Sequence, residues 1–274
     1  THCVSNMLRT YIQGYNTGEI NPRPDWKIVR QTPATANIDS DRGHGIIVTP
    51  KAMEIAIEKA RNVGLGMVTL SNGRHLGMAS YHAMMALEHD MLGLATTTGG
   101  LTMVPTFGTK PLLGLNAMAF AAPTSQNPPF VYDASPSVVA GNKISLAKRL
   151  GQTVLPGWIT DERGNPIMED MDAPSVEDAG NYTLLPLGST REMGSHKGYG
   201  LAFMTDVLTG VIGGGGYGLP PYAGPRKWDV SHTLIAIDIE WFMPLDEFRR
   251  RMDDFTDMVK SRALRPGFTE VLIP

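Results

Sequence analysis

The chain has 274 residues, 42% hydrophobic and 19% charged, the balance of an ordinary globular protein rather than a disordered one. A formal net charge of −3 and a pI near 6.1 supply no basic face, which argues against nucleic acid as a partner. The single cysteine, Cys3, excludes an intrachain disulfide and suits a reducing compartment, and no run approaches the roughly 18 apolar residues of a membrane span.

In chain order, Val4, Met7, Leu8, Tyr11 and Tyr15 recur at helical spacing and predict a helix over residues 2–17, stopped by Gly18. Residues 21–35 contain Pro22, Pro24 and Pro33 and read as a connector. Thr49-Pro50 predicts a helix start, a Thr cap followed by Pro in the first turn, with the helix running through Met53, Ile57 and Ala60 to about Asn62. A strand over Leu65–Leu70, a turn at Ser71–Gly73, a helix over Ala79–His89 and a strand over Leu92–Thr97 form a βαβ-like unit. Further strands are expected at Ala117–Ala122, Phe130–Tyr132 and Leu234–Ile239, and helices at 136–151, Gly198–Ile212 and Leu245–Leu264. The last of these helices puts Phe248, Met252, Phe255, Met258 and Val259 on one apolar face. Residues 161–193 are polar and turn-rich.

Residues 213–218 satisfy G-x-G-x-x-G. That fingerprint needs a strand before it and a helix after it, so that the helix N-terminus faces a pyrophosphate. Here an apolar helix precedes and Leu219-Pro220-Pro221 follows, so these glycines read as a loop closing a helix. The seven histidines show no zinc spacing, and no metal is expected. His82 reads as packed and His89 as solvated, whereas His75 sits between a strand and a helix, where α/β proteins place ligands. Gly-rich turns at 96–100, 107–110 and 114–116 offer backbone N–H groups to anions. Lys197 falls near a helix N-terminus, where a cation is disfavoured unless an anion binds. Ser-His-Asp hydrolysis lacks its G-x-S-x-G elbow.

Several segments in order resemble the malate/L-lactate dehydrogenase family typified by L-sulfolactate, ureidoglycolate and 2,3-diketogulonate dehydrogenases or reductases. Thr1-His2-Cys3-Val4 is similar to its Ser-His-Gly-Val, and Gly18-Glu19-Ile20-Asn21-Pro22 to its Gly-x-Ile-x-Pro. Asn72-Gly73-Arg74-His75-Leu76-Gly77 is similar to Asn-Ser-x-His-Phe-Gly, and Gly114-Leu115-Asn116-Ala117 to Gly-Thr-Asn-Pro. Asp133-Ala134-Ser135, Pro156-Gly157-Trp158, Leu185-Pro186-Leu187-Gly188 and Lys197-Gly198-Tyr199-Gly200-Leu201 resemble later family stretches.

The resemblance implies an α/β, L-sulfolactate dehydrogenase-like, non-Rossmann NAD(P)-binding fold with a mixed sheet and a helical substrate and dimerisation part. Residues 1–64 plus 225–274 would form the substrate and dimer domain, and 65–224 the NAD(P)-binding domain. It implies a cytoplasmic homodimer that moves hydride between NAD or NADP and a small 2-oxo/2-hydroxy acid. It makes His2 the proton donor, oriented by Asp133, with His75 binding or polarising the substrate. Thr1, Arg9 and Thr98 join the substrate set. Asp133, Ala134, Ser135, Leu187 and Gly188 lie along the cofactor, with Asn116 and Lys197 close by. The chain departs from the family where an arginine commonly follows the first histidine, since Ser5, Asn6 and Met7 stand there. Spacing from His2 to Tyr11 is one residue longer than usual. Both ends are short relative to the family, with Pro274 falling at the start of its Pro-Gly-Glu element. Two alternatives stay open: a cyclic ketimine reductase, and a degenerate member that binds nucleotide or a partner without turnover.

Overall fold

A computed structural model describes residues 2–174, 181–218 and 229–273, with backbone alone for 2–6. Seven strands form one mixed sheet, in the order β1 (Lys27–Gln31), β2 (Thr35–Asp39), β3 (Leu65–Gly73), β9 (Val230–Asp238), β4 (Met91–Thr97), β5 (Met118–Ala122), β6 (Phe130–Ala134). Among the described strands, only β2 and β3 pair in parallel. Strands β3 and β4 are linked through helix α3 (Ala79–Met84), as expected of the βαβ-like unit, but β9 lies between them and runs antiparallel to both. Strands from both flanking segments and from residues 65–224 therefore share one sheet.

The connector expected over 21–35 contains β1 and the start of β2. Pro22 and Pro24 precede β1, and Pro33 sits in its turn, where Thr32 N–H donates to the Thr35 carbonyl at 2.9 Å and the Thr32 and Thr35 hydroxyls lie 2.9 Å apart. Every residue of β1 is exposed, so it lacks the alternation that marks a strand in sequence, and pairing with β2 alone defines it.

Helix α2 runs from Gly45 to Val63, one turn earlier than Thr49-Pro50 suggested. Thr49 is fully buried inside the helix. Pro50 leaves the Ile46 carbonyl without its usual i+4 donor. The earlier start has a packing cause: Gly45 presses on the backbone of 74–76, where an added Cβ would stand 2.6 Å from the Arg74 carbonyl oxygen. Gly64 ends the helix in the left-handed region, at φ 83°, its N–H donating to the Ala60 carbonyl.

Helices α2 and α3 cover the sheet with small residues. Ala52, Ala56 and Ala60 of α2 and Ala79 and Ala83 of α3 are buried in a core shared with Val68, Leu70, Leu234 and Ala236. Gly66 and Gly93 admit the helix backbones directly: a Cβ would lie 1.9 Å from the Ala56 carbonyl oxygen at the first and 2.0 Å from that of Ala83 at the second.

A second core joins Val139, Ile144, Val154, Ile159 and Leu184, built from α4 (Gly141–Arg149), the hairpin of β7 (Thr153–Val154) and β8 (Met171–Asp172), and the turns around them. Helix α4 is shorter than the expected 136–151 because 136–138 are extended, Pro136 and Val138 bonding to Leu187 and Leu185. Helix α5 starts at Ser195, continues to Asp206 and passes into a π-helical turn over 207–211. Residues 213–218 thus follow a helix, not a strand. Helix α6 (Leu245–Lys260) corrects its expected face: Phe255 and Met258 are exposed, whereas Asp253 and Thr256 are buried. The Asp253 carboxylate accepts backbone N–H groups of residues 125–127, and this polar contact sets the helix rotation. Helix α1 spans His2–Asn16, close to expectation.

Replacing Gly66 or Gly93 with Ala forces helix and sheet apart. Either variant is expected to lose about 3 kcal/mol or more of stability, read as a lower urea midpoint at unchanged slope.

Candidate active site

Helix α1, the loop after β3 and the end of β4 enclose a cavity of about 170 Å³. Tyr11, Glu19, Arg74, His75, Thr98 and Gly99 are among its lining residues. His75 sits there because Leu70–Gly73 ends a central strand and α3 begins at Ala79. The loop between is pinned from several sides. His82 of α3 donates from Nε2 to the Leu76 carbonyl at 2.9 Å. Buried His232 of β9 donates from Nε2 to the Arg74 carbonyl at 2.9 Å, and its Nδ1 stands 2.9 Å from the Thr97 hydroxyl. Gly73 has no room for a side chain, since its Cβ would stand 2.8 Å from the Val230 carbonyl oxygen.

Nδ1 of His75 receives the backbone N–H of Gly77 at 3.1 Å and faces the Tyr11 hydroxyl at 2.6 Å. A backbone N–H can only donate, so this nitrogen is unprotonated and the neutral ring carries its hydrogen on Nε2. Burial holds the ring's pKa below the usual histidine value. His44 stands nearby, its ring centroid 4.3 Å from that of Tyr11 and its Nδ1 2.9 Å from the Tyr15 hydroxyl. Burial, helped by His75, pushes its pKa down to about 4. Burial pushes His232 down to about 3. Arg74 is buried, donating from Nε to the Glu19 carbonyl and from Nη1 to that of Gly73, both at 2.7 Å. Burial lowers its pKa only to about 10, so it stays cationic near neutrality.

A second group of residues follows β6. Asp133 is exposed, but its Oδ2 accepts the Ser80 N–H at 2.8 Å and so anchors the first turn of α3. Ser137 donates to the Val139 carbonyl at 2.8 Å, so the Ser135 hydroxyl, 2.8 Å away, donates to Ser137 and keeps its own lone pairs as acceptors. Pro136 accepts from Leu187 N–H at 2.7 Å, and the Leu187 carbonyl accepts from Gly198 N–H at 3.3 Å. Gly188 adopts φ 97° against the backbone of Gly194, which precedes α5. Lys197 is exposed in the first turn of α5. The 133–137 segment, the Leu187–Gly188 turn and the Lys197 helix start are thereby joined through backbone contacts.

A family model for malate/L-lactate dehydrogenase matches residues 1–274. The chain is 39% identical over its whole length to a malate dehydrogenase of Pyrococcus abyssi, covering 74% of that protein. It is 38% identical over 96% of its length to the L-sulfolactate dehydrogenase of Methanocaldococcus jannaschii, covering 73% of it. Among solved structures, a malate dehydrogenase from Pyrococcus horikoshii superposes with a TM-score of 0.85 at 33% identity, over 99% of this chain and 73% of that one.

The chain belongs to the malate/L-lactate dehydrogenase family. Its mixed-sheet α/β fold is the one this family uses, as expected from the resemblance. It is an oxidoreductase acting on the CH–OH group of hydroxy acids, a chemistry that uses a nicotinamide cofactor.

For a malate/L-lactate dehydrogenase family chain, the expected site residues fall in distinct places. His75 and Thr98 line the same cavity. The Thr98 hydroxyl is spent on β9, accepting the Ser231 N–H at 2.9 Å. Asn116 is buried behind the cavity: its Oδ1 accepts the Gly99 N–H at 2.8 Å, and its Nδ2 donates to the Ala202 carbonyl at 2.9 Å. Ala134 ends β6 opposite Met118. Arg9 is not brought to the cavity; it lies on the outer side of α1 with Leu8 and Ile12, while Met7, Thr10 and Tyr11 face inward. Thr1, and the side chain of His2 with its expected orientation by Asp133, lie outside the described residues.

Tyr11, His44 and Arg74 were not singled out from the sequence. Two phenols at i, i+4 on the inward face of α1, Tyr11 and Tyr15, were the available signal, because a buried phenol hydroxyl needs a partner.

Unfolded histidines take up protons near pH 6.5, whereas folded His44 and His232 do so only near pH 4 and pH 3. Their contribution to stability is full above about pH 6.5 and is lost as pH falls through this window. Urea midpoints are expected to drop between pH 7.5 and pH 5, and His44→Phe is expected to make that drop shallower.

Proposed function

We propose that this dehydrogenase interconverts a small 2-oxo acid and its 2-hydroxy acid with NAD or NADP, with His75 supplying the proton that goes to and from the substrate oxygen. The observation that carries this reading is the neutral His75 with its N–H on Nε2, lining a cavity beside a buried arginine. The relatives named as malate and L-sulfolactate dehydrogenases support a substrate with a second anionic group, and the Arg74 cation gives the cavity wall a matching charge.

The residues beyond β6 fit a dinucleotide. An exposed Asp133 carboxylate and the Ser135 lone pairs suit ribose hydroxyls, and Lys197 at a helix N-terminus suits phosphate oxygens. Ala134, Leu187 and Gly188 would line the same strip, and Asn116 holds the Gly99 turn in place behind it. When bound, the reduced nicotinamide supplies hydride to the carbonyl carbon. Protonated at both nitrogens, His75 hydrogen-bonds the carbonyl oxygen from Nε2 and delivers that proton as negative charge grows there, leaving a neutral ring. Arg74 holds the Glu19 and Gly73 backbones, fixing the cavity wall while the substrate carboxylate docks.

We infer a homodimer as well. The exposed apolar face of Phe203, Met204, Val207, Val211 and Ile212 on α5 and the turn after it supports one. A cytoplasmic location rests on cysteine usage and on the resemblance.

The test is a panel of oxaloacetate, sulfopyruvate, pyruvate and piperideine-2-carboxylate with NADH and NADPH. Turnover of a 2-oxo acid is expected, and turnover of the cyclic imine alone would sink the reading. His75→Gln is expected to lower the rate of reduction by about 10²–10⁴-fold while cofactor affinity changes only a few-fold. Lys197→Ala should weaken NAD(P)H binding by roughly 10-fold, measured by fluorescence titration.

A further inference from the structure

Nδ1 of His75 has two partners of different kinds, and the difference matters for proton transfer. Gly77 N–H at 3.1 Å is a donor in every state of the ring. The Tyr11 hydroxyl at 2.6 Å can donate or accept by rotating about its C–O bond. A neutral imidazole cannot complete the loss of its Nε2 proton, because an imidazolate would remain. Transfer to the carbonyl oxygen therefore starts from a ring protonated at both nitrogens. In that cation the Nδ1–H opposes the Gly77 N–H, and of the two partners only the Tyr11 oxygen can receive it.

We propose that Tyr11 is a positioning residue for the reaction: its hydroxyl donates to Nδ1 of the resting neutral His75 and accepts whenever Nδ1 carries hydrogen, so the ring keeps one orientation throughout turnover. This rests on the assignment of His75 as the acid. In reduction the protons balance simply. The Nε2–H bond breaks and an O–H bond forms on the substrate, while hydride from the reduced nicotinamide reaches the carbon. The ring is left neutral with its hydrogen on Nδ1, held by Tyr11. A proton taken up from the medium then returns to Nε2 and restores the doubly protonated ring.

The surroundings favour this role. The Tyr11 ring is braced against His44, which stays uncharged because it is buried, and His44 is in turn held by Tyr15. Among the described residues, the other titratable groups facing His75 are Glu19 and Arg74 on the cavity wall and the buried, neutral His232 behind the Arg74 carbonyl. No carboxylate is bonded to Nδ1 among the described residues, so the hydroxyl does work that a carboxylate does for histidine elsewhere.

The experiment is Tyr11→Phe in the full chain, which keeps the ring on His44 and removes only the hydroxyl. Two readouts are taken: the titration of the His75 ring nitrogens by NMR without substrate, and the pH dependence of kcat/KM for reduction. Losing the acceptor for Nδ1–H should lower the His75 midpoint by about one pH unit. The decline of kcat/KM with rising pH should begin correspondingly earlier, with most of the wild-type rate regained at acid pH. That regain separates positioning from mere damage to the fold. An unchanged midpoint, or a loss of rate equal at every pH, would overturn the proposal. The wild-type protein gives a check that needs no variant: its neutral His75, without cofactor or substrate, must show hydrogen on Nε2, and hydrogen on Nδ1 would also overturn it. A shifted midpoint in a protein that reduces no 2-oxo acid would support Tyr11 as the partner of His75 and defeat the functional reading. Turnover with an unshifted midpoint would do the reverse.

Discussion

Strand β9 lies between β3 and β4, and the site depends on that placement. Two strands consecutive in the central unit are each hydrogen-bonded to a third that arrives from far along the chain. Its His232 is buried and neutral, donating to the Arg74 carbonyl and meeting the Thr97 hydroxyl. Its Ser231 exchanges backbone and side-chain bonds with Thr98. The start of β9 therefore fixes both the loop that carries His75 and the end of β4 that closes the other side of the cavity.

Small residues bring the remaining parts to that loop. Gly66 and Gly93 let α2 and α3 lie on the sheet at backbone distance. Gly45 starts α2 against residues 74–76, and α3 reaches back through His82 to Leu76. A loop held by two helices and two strands gives its histidine one orientation, as the proposed role of His75 requires and an exposed loop cannot provide. Asp133 and Asn116 belong to the same scaffold, the first anchoring α3 and the second tying the Gly99 turn to α5.

Elements with their own local signals were legible in the sequence. The apolar periodicity of α1, the alternation and β-branching of β3 and β4, and the Gly64 stop of α2 each arise from neighbours within a few residues. Strand β1 was not legible, because its pairing with β2 leaves no buried face to pattern it. The start of α2 was misplaced because a contact with residues 74–76 outweighs the preference of Thr-Pro for a helix N-terminus. The face of α6 was misjudged because a carboxylate gathering backbone N–H groups, Asp253, outranks exposed Phe255.

The sequence by itself determined the family, through ordered motifs such as the stretch around His75 and Lys197-Gly198-Tyr199-Gly200, and with it the class of chemistry. It also led to reading residues 213–218 as a loop closing a helix, since that reading depends only on what flanks them in sequence. Only the tertiary structure decided which arginine walls the cavity, Arg74 rather than Arg9, and which hydroxyl meets His75. Tyr11 and His75 are 64 positions apart, and the bond between them exists because α1 lies across the end of the sheet. Proton placement on a histidine is set by the partners of its two nitrogens. Residue order names the histidine, and packing chooses those partners.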